Sequence, residues 1–191
     1  MLNGPNHRGG AVVTPTAAAT RTATPHRASA VVVGPGARPS HQQRVISLDF
    51  DGVLHPTAEG AQRIAVTHFA WLPILERILA SHPQVMLLVH STWRHRLDLD
   101  ELRLLIGEVL GPRVVAAAPA GDHRWLAIQA WLATQTQVLD LFILDDAPQE
   151  FPATLPFTLI ACDPATGLSD ARVQQSIQRW LDRDQEWEPP K

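Results

Sequence analysis

Cysteine, long apolar runs and net charge are all scarce in this chain, and each shortage excludes something. Cys162 is the single cysteine among 191 residues, so no intramolecular disulfide framework is possible, and no Cys/His spacing of a zinc site is present. That usage fits a reducing compartment, with the cytoplasm as the expected location. No uninterrupted apolar stretch, Val85 to Val89 included, approaches the roughly 20 residues that span a bilayer. The sequence therefore predicts a soluble protein with no membrane partner. With 16 basic against 19 acidic residues the net charge is −3. Bulk attraction to nucleic acid or an anionic surface is excluded, and any such contact must be local. No repeat of roughly 20 to 50 residues is visible.

Acid is missing altogether from Met1 to Arg44, which holds five arginines (Arg8, Arg21, Arg27, Arg38, Arg44) and so carries +5, while the remainder, 11 basic minus 19 acidic, carries −8. Pro5, Pro15, Pro25, Pro35 and Pro39 interrupt any helix there, and large apolar side chains are too few to offset chain entropy. Residues 1–43 are expected to be a disordered tail, 44–185 a single domain, and 186–191 a flexible end. An Arg-rich, acid-free start is shared by organelle transit peptides, but the prolines spoil an amphipathic helix and a secretory apolar core is absent. Targeting, a nucleic-acid-binding arm and a dispensable tail stay open as its roles.

From Val45 onward strands and helices alternate. Val45–Phe50, Val85–Val89, Val114–Ala117, Val138–Leu144 and Phe157–Ala161 read as buried strands. Trp71–Ser81 reads as a helix with Pro73 in its first turn. Asp98-Leu-Asp-Glu101 has capping-box spacing and opens a helix that Gly107 or Gly111 ends. Arg124–Ala133 is a further helix, and Ser169 is expected to cap the last one, which carries Val173, Ile177, Trp180 and Leu181. Such alternation predicts an α/β fold: a three-layer Rossmann-like parallel sheet of about five strands with helices on both faces.

In such sheets ligands bind beyond the carboxyl ends of the strands. Strand one ends in Asp49-Phe-Asp51-Gly-Val-Leu54, strand two in His90-Ser91-Thr92-Trp93-Arg94, and strand four in Asp145-Asp146. Four carboxylates at one sheet edge repel one another unless a divalent cation sits among them, and oxygen-only ligands indicate Mg²⁺. A phosphate is the expected anion, held by Arg124 at a helix start, that helix's free N–H groups, and the Ser91 hydroxyl with nearby backbone. Which of Ser91 and Thr92 touches phosphate stays open, with Ser91 favoured. Residues i and i+2 leaving a strand point to the same side, so Asp49 and Asp51 can divide attack and proton transfer between them. Gly52 allows a sharp turn after the pair.

These residues resemble the four motifs of the haloacid dehalogenase-like phosphatase superfamily, in order. Asp49-Phe-Asp51-Gly-Val-Leu54 is similar to the first, Ser91 to the second, Arg124 to the basic third, and Leu144-Asp145-Asp146 to the acidic fourth. The resemblance implies Asp49 as a nucleophile forming an aspartyl-phosphate and Asp51 as general acid/base. It also implies Asp49, the Asp51 carbonyl and Asp145 as Mg²⁺ ligands, with Asp146 assisting. The third position is more often lysine in that family, and His123 is the neighbouring competitor. His55-Pro56, Ser-Thr-Trp-Arg at 91–94, Arg124 before Ile128-x-x-Trp131-Leu132, and Ile-Leu-Asp-Asp at 143–146 resemble a subgroup of small dehalogenase-like domains, including those found with RNA-repair enzymes.

Both gaps in which that superfamily inserts caps are short. His55 to Phe69 fits only a hairpin flap, and Arg94 to His123 is consumed by one helix and one strand. An uncapped site stays open to water, and the resemblance to that superfamily then implies a large phosphorylated substrate, such as a nucleic-acid end or a phosphoprotein, whose own bulk covers the pocket. A nucleotidase or phosphotransferase on a small ester is the alternative within that chemistry, and a catalytically silent phosphate-binding module is the alternative outside it. Around the motifs, His55 is either close to the leaving group or a polar flap residue. Trp93 is either core or a stacking platform. Arg94 and Arg96 either bind substrate or form an ion-pairing face. Cys162, Trp125, Trp131 and Trp180 are expected in the core.

Overall fold

The computed structural model describes residues 43–57, 68–121, 123–137 and 139–183. The expectations for the N-terminal tail up to residue 42, the tip of the flap at 58–67 and the last eight residues lie outside them. Five strands form one sheet: β1 (Gln43–Leu48), β2 (Met86–Val89), β3 (Val114–Ala117), β4 (Leu139–Asp145) and β5 (Thr158–Ala161). Their order is β3-β2-β1-β4-β5, and every adjacent pair is parallel. Helices α1 (Leu72–Leu79), α2 (Leu99–Leu110), α3 (Arg124–Leu132) and α4 (Ala171–Asp182) complete the three-layer, Rossmann-like α/β arrangement.

Strand parity decides which layer each side chain enters. Ile46, Leu48, Leu87, Val89, Phe142 and Leu144 point into a core built with Leu72, Leu75 and Leu79 of α1, Leu102, Ile106 and Leu110 of α2, and Val173, Ile177, Trp180 and Leu181 of α4. Val45, Leu88, Leu141 and Ile143 point the other way, into a smaller core closed by Ala127, Ile128 and Trp131 of α3. Cys162 belongs to the larger core, where burial pushes its thiol up to about 12.

The capping box at α2 is complete: the Glu101 N–H donates to Asp98 Oδ1 at 2.9 Å, and the Asp98 N–H to Glu101 Oε2 at 2.8 Å. Gly107 and Gly111 both act on this helix. Gly107 breaks its regularity with φ 85°, and Gly111 follows its last residue. One cap differs from expectation. Asp170, not Ser169, caps α4, with its Oδ1 accepting the Arg172 N–H at 2.8 Å, because Ser169 lies in the preceding 3₁₀ turn and its hydroxyl donates to the Thr166 carbonyl. Trp125 also departs from the expected core position: it is half-buried against the smaller core, whereas Trp131 and Trp180 are buried.

Candidate active site

Register alone gathers the first part of the site. Leu48 pairs with Val89 on one side and Leu144 on the other, so the next residue of each strand, Asp49, His90 and Asp145, falls in one row across three neighbouring strands. The row is held by main-chain bonds: the Asp49 N–H donates to the Leu144 carbonyl and the His90 N–H to the Leu48 carbonyl, each at 3.1 Å. Parity turns all three side chains, with Ser47 two residues below Asp49, toward the layer that α3 covers. Asp49, Ser47, His90 and Asp145 are all buried.

The first turn of α3 then delivers Arg124. Its Nη1 donates to Asp49 Oδ2 and to Asp145 Oδ1, the latter at 2.5 Å, and stands 3.5 Å from Asp146 Oδ1, while Nε is 3.6 Å from Glu150 Oε2. On the other side of Asp145, His90 Nε2 lies 2.7 Å from Oδ2, and His90 Nδ1 lies 2.8 Å from the Ser47 hydroxyl. With a proton on Nε2 the ring donates to Asp145, and Nδ1 meets the Ser47 hydroxyl, which can either donate or accept.

These partners separate the carboxylates electrostatically. Burial raises the pKa of Asp145, but the His90 bond and then Arg124 outweigh it and hold the group below the usual carboxylate range. Asp49 is shifted the opposite way, chiefly because burial penalises its charge more than His90 and Arg124 favour it. Asp146 is pushed up to about 6 by burial and then by the charge of Asp49. Burial lowers the Arg124 pKa, yet the Asp145 bond and the charges of Asp49 and Asp145 prevail and hold it above its ordinary value.

One oxygen from each of Asp49, Asp145 and Asp146 lies within 4.8 Å of the others. The Arg124 Nη1 cation already touches all three carboxylates. This donor set, all oxygen and charged beyond what one guanidinium offsets, fits a hard divalent cation. Gly52, with φ 69° and no side chain, makes room for the Asp146 carboxylate: an added Cβ would stand 2.6 Å from the carboxylate carbon.

Asp51 occupies a separate environment. Its Oδ2 accepts the Trp93 Nε1–H at 2.8 Å, and its Oδ1 lies 3.1 Å from His55 Nε2. The Asp51 side chain is 41% exposed, against 1% for Asp49. His55 is buried, and that burial lowers its pKa. The indole of Trp93 packs edge-on against Phe50, His55 and Phe69, with ring centroids 5.6 to 6.0 Å apart. Trp93 is therefore partly packed against the larger core and also bonded to the site.

The remaining motif residues sort by what they touch. Ser91 is fully buried and caps the 3₁₀ turn Thr92–His95 by accepting the Trp93 N–H, while Thr92 is exposed. Arg94 is spent on carbonyls, those of His90, Ser91 at 3.0 Å and Gly121 at 2.8 Å, and so ties the turn after β2 to the loop before α3. Arg124, not the exposed His123, reaches the carboxylates. Sequence reasoning did not single out His90, Ser47 or Glu150 as site residues. The signal for the first two was parity, since positions 47 and 49 share a face and His90 ends β2 beside Asp49.

Residues 45–173 match the family model described as the HAD domain in Swiss Army Knife RNA repair proteins. No curated protein and no solved structure matches the chain.

Proposed function

The chain belongs to the HAD domains of Swiss Army Knife RNA repair proteins, and from that membership, which indicates hydrolase activity, we propose a Mg²⁺-dependent phosphomonoester hydrolase working through an aspartyl-phosphate. The observation that carries this reading is the contrast between two carboxylates two residues apart. Asp49 lies buried among Arg124, Asp145 and Asp146, whereas Asp51 is half-exposed on Trp93 and His55. Different surroundings suit different tasks.

Asp49 supplies the nucleophilic oxygen. As its bond to phosphorus forms and the bond to the leaving oxygen breaks, Asp51 gives that oxygen its proton. Asp51 then takes a proton from the water that attacks phosphorus, which releases phosphate and restores the Asp49 carboxylate. Arg124 and the turn at Ser91 and Thr92 hold the phosphoryl oxygens. Mg²⁺, held by Asp49, Asp145, Asp146 and the Asp51 carbonyl, would offset repulsion between these acids and the incoming phosphate and stabilise charge on the transferred group. Trp93 and His55 orient the Asp51 carboxylate, and His90 with Ser47 fixes that of Asp145.

A large or exposed substrate fits this site. Between Arg94 and His123 the described residues form one 3₁₀ turn, α2, a second short turn and β3, with no inserted domain. The RNA-repair context of the family supports a nucleic-acid end over a phosphoprotein or a small ester. The test is hydrolysis of a generic aryl phosphate and of phosphorylated DNA, RNA and peptides with and without Mg²⁺. Wild type turns over at least one of these only with Mg²⁺, and Asp49→Asn and Asp51→Asn do not. Equal inactivity of all three proteins on every ester would favour a silent phosphate-binding module, and phosphate transfer to an added alcohol would favour a phosphotransferase.

A further inference from the structure

Beside Asp51 opens a cavity of about 610 Å³ lined by Asp51, Thr92, Trp93, His95, Arg96 and Leu97. That volume lies within the range of small-molecule sites. We propose that it is a leaving-group subsite for an oligonucleotide end, with Arg96 binding the phosphodiester next to the terminal phosphate. The proposal rests on the reading of Asp51 as the acid that protonates the leaving oxygen, since whatever carries that oxygen must then lie against Asp51.

The lining selects the occupant. Of the arginines near the site, Arg124 is engaged by carboxylates and Arg94 by carbonyls. Among the described residues the Arg96 and His95 side chains have no hydrogen-bond or ion-pair partner, and both are exposed at the cavity. The half-buried Trp93 offers ring surface and Leu97 an apolar wall, so a flat base next to an anion is matched on both counts. From Val45 onward the chain carries −8, so a polyanion gains nothing from bulk charge and must be attracted locally. A mononucleotide has no second phosphate for Arg96. A phosphoserine peptide brings neither a ring nor a fixed anion.

The experiment measures KM for single-stranded trinucleotides phosphorylated at the 5′ or the 3′ end, for a mononucleotide, for a phosphoserine peptide and for an aryl phosphate, at several salt concentrations. Wild type, Arg96→Gln and Arg96→Lys are compared. In Arg96→Gln the ratio of trinucleotide KM to aryl phosphate KM rises about tenfold, and the slope of log KM against log salt falls by about one, as loss of one phosphate contact requires. Arg96→Lys keeps the salt slope. The 5′ and 3′ arms identify which end is read. An unchanged ratio and slope in Arg96→Gln overturn the proposal, as does Arg96-dependent turnover of the phosphopeptide in preference to both trinucleotides. If wild type hydrolyses none of the esters, the hydrolase reading fails separately. Fluorescence anisotropy of a labelled phosphorylated trinucleotide then decides the subsite: weaker binding to Arg96→Gln supports it, and equal binding refutes it.

Discussion

Replacing Trp93 with Phe removes one hydrogen bond from Asp51 and trims, without abolishing, the ring that packs beside it. The ring still packs on Phe50 and Phe69, whose centroids stand 5.8 and 5.6 Å away, but the Nε1–H that reaches Asp51 Oδ2 at 2.8 Å is gone. Hydrogen bonds to charged groups are worth about 1.5 to 3 kcal/mol. The half-exposed Asp51 places this one at the lower end, and about 1.5 kcal/mol corresponds to roughly a tenfold loss of rate. The loss should depend on the leaving group. An alkyl phosphate needs its oxygen protonated as the bond breaks, so kcat for it falls about tenfold, while an aryl phosphate with an acidic leaving group needs little proton donation and falls about twofold or less. Steady-state kinetics on both esters, with a melting curve for each protein, separates the outcomes. An equal fall for both would mean that Trp93 acts only through packing, and no fall on the alkyl ester would refute its role in orienting the acid.

His90→Leu leaves the buried Asp145 Oδ2 and the Ser47 hydroxyl without their partner, which should cost about 3 kcal/mol in urea unfolding; a change below about 0.5 kcal/mol would remove His90 from the support of Asp145. Arg124→Ala frees Asp49 and Asp145 from their shared guanidinium, so the variant melts lower than wild type in chelator, and its Tm rises more on addition of Mg²⁺; equal rises would show that Arg124 and the cation do not share these oxygens. Gly52→Ala forces a side chain into a backbone with φ 69° and against Asp146, and the expected loss exceeds about 1 kcal/mol in denaturant titration. An unaltered midpoint would refute that packing argument.

Much of the architecture was legible from local pattern. Apolar runs bounded by turn residues marked all five strands to within a residue or two at each end. The Asp98–Glu101 box marked the start of α2 because both halves of that interaction lie within four residues. Ser169 misled for a related reason: it is a good cap by type, but its hydroxyl was taken by the 3₁₀ turn before α4, leaving Asp170 at the helix entry.

By itself the amino-acid order determined that strands and helices alternate and that acids stand at the ends of the first and fourth strands. Only the tertiary structure decided that those two strands are neighbours and that β2 flanks β1 on its other side. It also decided that Asp145 is gripped by His90 and Arg124 while Asp51 leans on Trp93 and His55. The reason is physical. Turn and cap preferences arise from groups a few residues apart, so one chain segment suffices to read them. Pairing of β1 with β4 joins residues about a hundred positions distant. It is selected by crossover direction and by burial of both sheet faces, which belong to the assembled sheet and to no single segment.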